Sequence, residues 1–393
     1  MSVTGTKITI VGAGVAGLTA AIALARQGAQ VTVLEQAEAI REVGAGIQIS
    51  PNGAAVLRGL GLAQQLAAIG DRSDGVVLRN GQSGAPVLRL NLRQLRPEQP
   101  YYFIHRADLI DMLAAAARAA GVHVTLDARI AAVELGDHPP RLTLARGETV
   151  EVPLLLGADG LHSRVHQALN GKVTPFFTHQ VAWRAIIPAE PDAAPVAQVF
   201  LGAGRHLVSY PLRGGTLRNI VAVEERHRWA DESWAQKDDP VAPRISFGDF
   251  APEVRNWLDQ VEVVHLWGLF RHPVAPRWHG HGAAILGDAA HPTLPFLAQG
   301  ANMALEDAWV LADRLARADS IEAGFAAYQM AREGRVKRAV AAANANARAY
   351  HLRGLPRMVA HAGLRLGGAL MPMAPLKRFD WLYGHDVTQR QAG

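Results

Sequence analysis

The sequence contains no cysteine, which excludes disulfides, thiolate metal sites and cysteine nucleophiles and accords with a reducing compartment. Any redox agent must therefore be borrowed. No run of about 18 uninterrupted apolar residues occurs, and the N-terminal region lacks the charged start, apolar core and small-residue cleavage site of a secretory signal. A soluble, cytoplasmic protein with no membrane partner is expected. Only 19% of residues are charged, and the formal charge of +5 comes from scattered arginines, not from a basic block interleaved with aromatics. That argues against a nucleic-acid partner and suits an anionic cofactor or a small acidic substrate.

What is present is ample core material. With 393 residues, 49% of them hydrophobic, the chain exceeds the size at which one core stops growing, so two interlocked domains are expected. Lys7 to Val11 reads as a buried strand, Val15 to Gln27 as an alanine-rich helix and Val31 to Leu34 as a second strand. A helix is expected from about Ala107 to Ala119, followed by strands at Val122 to Leu126, Arg141 to Leu144 and Val152 to Leu156. From about Pro175 to Pro276 the texture changes to short β-rich pieces, among them Gln180 to Ile187, His206 to Pro211 and Asn219 to Glu224. Ala283 to Leu286 returns to the buried-strand pattern, and helices follow from Ala301 and from Phe325. The expected fold is therefore α/β. A Rossmann-type domain (1–75, 100–174 and 277–350) is interleaved with a mainly antiparallel sheet domain (76–99 and 175–276) and followed by a C-terminal helical segment (351–393). That last stretch is apolar but interrupted by arginines and prolines, and packing on the core is expected over contact with a membrane surface.

Gly12-Ala13-Gly14-Val15-Ala16-Gly17 joins the first strand to the first helix, the context a dinucleotide fingerprint requires. Gly12 permits the tight turn, Gly14 lets backbone amides approach a pyrophosphate and Gly17 allows close helix packing. The positive end of the helix then faces the phosphates. Glu35, closing the next strand beside Gln36, would accept hydrogen bonds from a ribose. These features alone do not separate NAD from FAD. Gly157-Ala158-Asp159-Gly160 follows one apolar strand and Gly287-Asp288 another. The latter leads through His291, Pro292 and Pro295 to Gly300 and a helix. Asp288 there can bond a sugar-alcohol chain, and the amides of Gly300, Ala301 and Asn302 can face a flavin pyrimidine that becomes negative on reduction.

Taken together, GAGVAGL (12–18), GAGIQISPN (44–52), HRADL (105–109), GADGLHSRV (157–165) and GDAAHPTLPFLAQGANMALEDA (287–308) resemble the single-component FAD-dependent aromatic hydroxylases. The likeness extends to AWRA (182–185), SYPLRGG (209–215) and RFDWLYGHD (378–386), and is strongest toward the branch of salicylate hydroxylase, 3-hydroxybenzoate 6-hydroxylase and 6-hydroxynicotinate 3-monooxygenase. The resemblance implies FAD as cofactor, NADH or NADPH as transient donor without a second Rossmann unit, and hydroxylation of an aromatic or N-heteroaromatic substrate by O2 through a flavin hydroperoxide. It places Arg106 at the cofactor's phosphate and ribose, Gln48 near the flavin, Ile130 beside the adenine, and Asp159 and Pro295 in the cofactor's surroundings. Some members carry His at the position of Gln48, where it can serve as a base, and Gln cannot. His206 and Tyr210, four residues apart on one strand and so on one sheet face, are the substrate-side candidates. Either could hydrogen-bond or deprotonate a ring hydroxyl. His291 is read as structural, and Trp183 and Arg184 as interface packing. Competing readings are a flavin monooxygenase performing epoxidation or oxidising a non-phenolic substrate, an NAD-dependent dehydrogenase and a non-catalytic flavoprotein. A monomer or a homodimer fits the sequence equally.

Overall fold

The computed structural model describes residues 3–40, 45–226 and 236–389. Gly44 of the 44–52 motif and residues 227–235 of the β-rich stretch lie outside them.

Two sheets carry the architecture. The first has six strands in the order His279–Gly280, Ala283–Ile285, Leu155–Gly157, Lys7–Val11, Gln30–Leu34 and His123–Thr125, all parallel except the short edge strand His279–Gly280. Parallel strands are covered on both faces and so read as continuous apolar runs, as Ile8, Ile10, Leu155, Leu156, Ala283, Ala284 and Ile285 do here. The alanine-rich helix Val15–Ala25 lies against this sheet, buried along nearly its whole length because small side chains let it approach closely. Helices Gly300–Arg317 and Ile321–Tyr350 pack together beside it. The strand expected over Val152 to Leu156 is shorter, Leu155–Gly157, because Pro153 has no N–H to give a ladder.

The second sheet has eight strands. Its order is Lys237–Asp238, Val264–Arg271, Phe176–Pro188, Leu217–Glu225, Arg205–Leu212, Val196–Gly202, Gly75–Asn80 and Pro86–Asn91. All its pairings are antiparallel except Val196–Gly202 with Gly75–Asn80. Phe176–Pro188 runs longer than the pattern suggests by absorbing a bulge at His179, whose φ is 57°. Strand parity separates two faces. The outer face, with Trp183, Phe200, Leu207 and Ile220, packs on Phe247, Val254 and Trp257 of the short helices beyond it. The inner face carries His206, Tyr210, Val223, Ala182 and Trp267, and meets Phe296, Tyr350, Phe103 and Tyr101. Trp183 therefore belongs to the outer core, while its neighbour Arg184 projects from the inner face. The expectation that both serve interface packing is corrected accordingly.

The C-terminal helix Gly354–Leu370 packs on one side only. His361 is buried, whereas Leu355, Met358, Val359, Leu366 and Leu370 are exposed. Among the described residues no helix is long and apolar enough to cross a membrane.

Candidate active site

The glycine turn has the geometry a dinucleotide needs. Gly12 has φ 101°, and a Cβ there would lie 2.5 Å from the Ala158 carbonyl oxygen. A Cβ on Gly17 would fall 1.9 Å from the Gly12 oxygen, so the helix approaches the turn as only glycine allows. At Gly14, by contrast, a Cβ would meet nothing within 4 Å. The helix N-terminus thus opens on a cradle that a side chain at Gly14 would fill and that a pyrophosphate fits. Glu35 backs this cradle. Its carboxylate accepts from Ala13 N at 2.7 Å and Ala37 N at 2.9 Å, and each oxygen keeps a lone pair for a ribose hydroxyl. Gln36 beside it is exposed. Ile130 buries its side chain in the core, two residues beyond Ala128, whose N–H donates to the Glu35 carbonyl at 2.8 Å.

Asp159 has a different first duty. It accepts from Ser163 Oγ at 2.5 Å and Arg164 N at 2.7 Å, tying off the start of helix Arg164–Asn170, and burial raises its carboxyl against these hydrogen bonds. The Asp159 backbone backs directly on Gly12.

The segment from Gly287 to Asn302 closes the other end. A Cβ on Gly287 would stand 3.0 Å from that of Ala16, which locks the segment against the first helix. Asp288 is open to solvent yet walled in by protein, as a side chain at the floor of a deep cleft would be. Burial raises its carboxyl, and the nearby charges of His291, Arg106 and His272 oppose that rise. Arg106, the first residue of helix Arg106–Ala119, is thereby brought to the same cleft as Asp288. Gly300 stands at the cleft too, where a Cβ would lie 3.9 Å from Asp288 Oδ1. Pro295 opens the single turn Pro295–Leu297, and Ala298, with φ 52°, reverses the chain into helix Gly300–Arg317. The amides of Gly300, Ala301 and Asn302 open that helix and have no partner within it. Asn302 is fully buried. Its Oδ1 accepts from Ser50 N at 2.9 Å, and its Nδ2 donates to Gln48 O at 3.0 Å and Ala298 O at 2.8 Å.

What holds this helix was not legible beforehand. Asp307 accepts from His291 Nε2 at 2.5 Å and from Arg332 Nε at 2.7 Å. Glu306 accepts from Arg332 Nη1 at 2.5 Å, Arg335 Nη2 at 2.7 Å and Asn52 Nδ2 at 2.7 Å. Burial would raise both carboxyls, but the guanidinium groups, with His291 beside Asp307, overcome it and hold each down to about 2. His291 is thus a strut of this buried network, as its reading as structural anticipated.

On the facing sheet, His206 and Tyr210 share the inner face of strand Arg205–Leu212 and are 2% and 3% exposed. His206 stands 5.5 Å from the Phe296 ring and 5.1 Å from Tyr350, so it meets the 287–302 segment directly. Its Nδ1 lies 2.8 Å from His351 Nε2. Burial and His351 lower its pKa well below the ordinary histidine value, which keeps it neutral at neutral pH with its ring nitrogens free to accept or donate a hydrogen bond. Tyr210 stacks on Phe103 and hydrogen-bonds with Gln48, which also accepts from Tyr101 Oη at 2.7 Å. Burial pushes the Tyr210 phenol far up, Arg184 opposing. Burial thus keeps both candidates neutral, His206 unprotonated and the Tyr210 phenol with its proton. Sequence reasoning missed His351, Tyr101, Asn52 and Gln299; only Asn52 and Gln299 lay within motifs already singled out. Among the described residues no cluster suited to a metal ion exists.

Residues 5–343 match the family described as FAD binding domain. The chain is 36% identical over 396 residues to 3-amino-4-hydroxybenzoate 2-monooxygenase PtmB3 of Streptomyces platensis, covering 97% of this chain and 96% of that protein. It is 32% identical over 401 residues to 3-hydroxybenzoate 6-hydroxylase 1 of Aquipseudomonas alcaligenes, covering 98% and 99%. Among solved structures it is similar to Klebsiella pneumoniae HpxO complexed with FAD and uric acid. That likeness has a TM-score of 0.82 at 24% identity over 93% of this chain and 95% of the other, and concerns the fold.

Proposed function

This chain belongs to the FAD-binding family of single-component flavoprotein hydroxylases, and from that premise we propose that its substrate is an aromatic ring acid bearing a hydroxyl group, with the hydroxyl at His206. The enzyme is an FAD-dependent monooxygenase that uses NADH or NADPH and O2 to hydroxylate an aromatic or N-heteroaromatic ring. When bound, FAD would supply the hydride acceptor for the nicotinamide donor and the means to activate O2 for transfer of one oxygen atom to the ring.

The chain's own residues bind, orient and ionise. Gly12, Gly14, Ala16 and Gly17 would receive the pyrophosphate, Glu35, Gln36 and Ile130 the adenosine, Arg106, Asp159 and Asp288 the centre of the cofactor, and Gln48, Pro295, Gly300, Ala301 and Asn302 the flavin. The amides opening helix Gly300–Arg317 stabilise negative charge there. Phe296, Tyr350, Phe103 and Tyr101 exclude water from the space under the sheet.

The observation that carries the substrate reading is the pairing of a neutral His206 with a neutral polar cluster at Tyr210, Gln48 and Tyr101 on the same side of the sheet. The two ends lie about 13 Å apart along the strand, with Val208 on the same face between them. A single six-membered ring over Val208 would present one polar group to each end. Removing the hydroxyl proton at His206 Nε2 raises electron density on the ring where oxygen is delivered, and Arg184 adds positive potential at the Tyr210 end for a carboxylate. Both relatives described above are named for hydroxylated benzoates, which supports the class.

The test is NADH and NADPH oxidation by FAD-loaded protein against hydroxylated benzoates, hydroxypyridines and the same rings lacking the acid, with peroxide measured alongside. Coupled turnover restricted to rings carrying both groups is expected. Equal coupling on rings lacking the hydroxyl would overturn the reading.

A further inference from the structure

We propose that His351 and Glu225 form a proton exit that connects His206 to solvent, which makes His351 a positioning residue for the ionisation of the substrate. The proposal rests on the reading of His206 as proton acceptor. Three groups stand in line. His206 Nδ1 is 2.8 Å from His351 Nε2, and His351 Nδ1 is 3.1 Å from Glu225 Oε1. Both histidines are buried, whereas the Glu225 side chain at the end of the line is 38% accessible. Arg353, itself exposed, pairs with the same carboxylate and fixes it.

The carboxylate dictates both tautomers. Glu225 can only accept, so pairing with it puts the His351 proton on Nδ1; Gln180 Nε2 stands 3.2 Å from the same nitrogen, and that tautomer requires the Gln180 amide to turn over and present its oxygen there. His351 Nε2 is then a lone pair that accepts Nδ1–H of His206, and His206 Nε2 is left as the basic nitrogen. The two rings stand 5.0 Å apart, with Tyr350 5.1 Å from His206, and the charged groups facing the pair are Glu225 and Arg353. His351 ends helix Ile321–Tyr350, and its carbonyl receives Gly204 N at 3.3 Å, which pins it beside the strand that carries His206.

The proton balance closes. The substrate hydroxyl gives its proton to His206 Nε2, breaking O–H and forming N–H. His206 passes its Nδ1 proton to His351 Nε2, and His351 passes its Nδ1 proton to Glu225, which releases it to water. The ring keeps the electron pair. Return of one proton by the same path, when the hydroxylated product is reprotonated, restores both tautomers. A plain packing role for His351 requires neither the tautomer order nor the exposed carboxylate.

The experiment mixes FAD-loaded enzyme with 3-hydroxy-4-nitrobenzoate, whose phenolate is coloured, in a stopped-flow instrument with a pH indicator. In the parent enzyme ionisation and proton release should coincide. In H351Q both should slow by about tenfold or more with the dissociation constant little changed, and E225Q, altered at an accessible carboxylate, should slow release in the same direction. 15N-histidine spectra of the holoenzyme should show Nδ1–H at both His206 and His351. Ionisation and release in H351Q and E225Q as fast as in the parent would overturn the relay while leaving His206 as base, whereas Nε2–H at His351 would overturn both, because His206 Nδ1 would then accept and its Nε2 would carry the proton. A parent enzyme that binds the nitrophenol without ionising it, or H206Q that ionises it normally, would overturn the base reading itself.

Discussion

Replacing Arg332 by methionine tests what positions the helix that begins at Gly300. Arg332 is 1% exposed and bridges Glu306 and Asp307, both fully buried. Removing one partner of a buried ion pair costs about 3–5 kcal/mol. Here Glu306 keeps Arg335 and Asn52, and Asp307 keeps His291 and the Gly287 amide, so the lower end, about 3 kcal/mol, is expected. At about 2 °C per kcal/mol for a large chain, R332M should melt about 6 °C lower. The pH dependence has a defined sign. Both carboxyls are held below their unfolded values, so their contribution is complete above the ordinary carboxylate range and disappears as pH falls through about 2. In R332M the carboxyls titrate closer to their ordinary values, and acid unfolding begins at higher pH. The double variant R332M/D307N should recover part of the loss, because Glu306 keeps Arg335 and no buried carboxylate is left without a cation. Thermal unfolding followed by circular dichroism and by flavin fluorescence measures all of this. An R332M protein within about 1 kcal/mol of the parent, or a double variant R332M/D307N less stable than the single, would refute the reasoning.

Three further outcomes follow from the same geometry. G14V should fold with near-parental stability, since its Cβ meets nothing, yet fail to retain FAD through gel filtration, and a yellow G14V would count against the phosphate cradle. Y210F should raise KM about three- to tenfold, the loss of one hydrogen bond, and leave the pH profile unchanged because the Tyr210 phenol does not ionise near neutrality; disappearance of a pH limb in Y210F would make Tyr210 the base instead. Because the His206 value lies well below the ordinary one, kcat/KM should stay level through pH 6.5 and fall only at lower pH. The unfolded chain takes that proton first, so the histidine's burial also costs stability as pH drops below 6.5, and an acid limb centred above pH 7 would contradict this.

The parts legible in the sequence are those in which a local rule leaves one answer. Gly12 and Gly17 are fixed by backbone contacts with Ala158 and with the turn itself, and His206 and Tyr210 fall on one face by strand parity alone. The same parity, applied to Trp183 and Arg184, would have sent them to opposite faces, yet adjacency in one motif drew them together. The remainder depends on pairings that no local pattern carries. His351 lies 145 residues from His206, and Arg332 lies 25 and 26 residues from Asp307 and Glu306 on another helix. The exposed stripe on Gly354–Leu370 likewise reads as core by composition, because apolar periodicity does not say which side finds a partner.

The central claim is that this chain transfers one atom of O2 to a ring whose hydroxyl has been ionised at His206. The most direct measurement is mass spectrometry of the product formed from 3-hydroxybenzoate and from 3-amino-4-hydroxybenzoate under 18O2, with NADH as donor, in the parent enzyme and in H206Q. The account predicts a product carrying one 18O atom in the parent, and in H206Q a loss of about 100-fold or more in kcat/KM with NADH still consumed and peroxide released. Peroxide without labelled product on either ring in the parent, or undiminished labelling in H206Q, would contradict it.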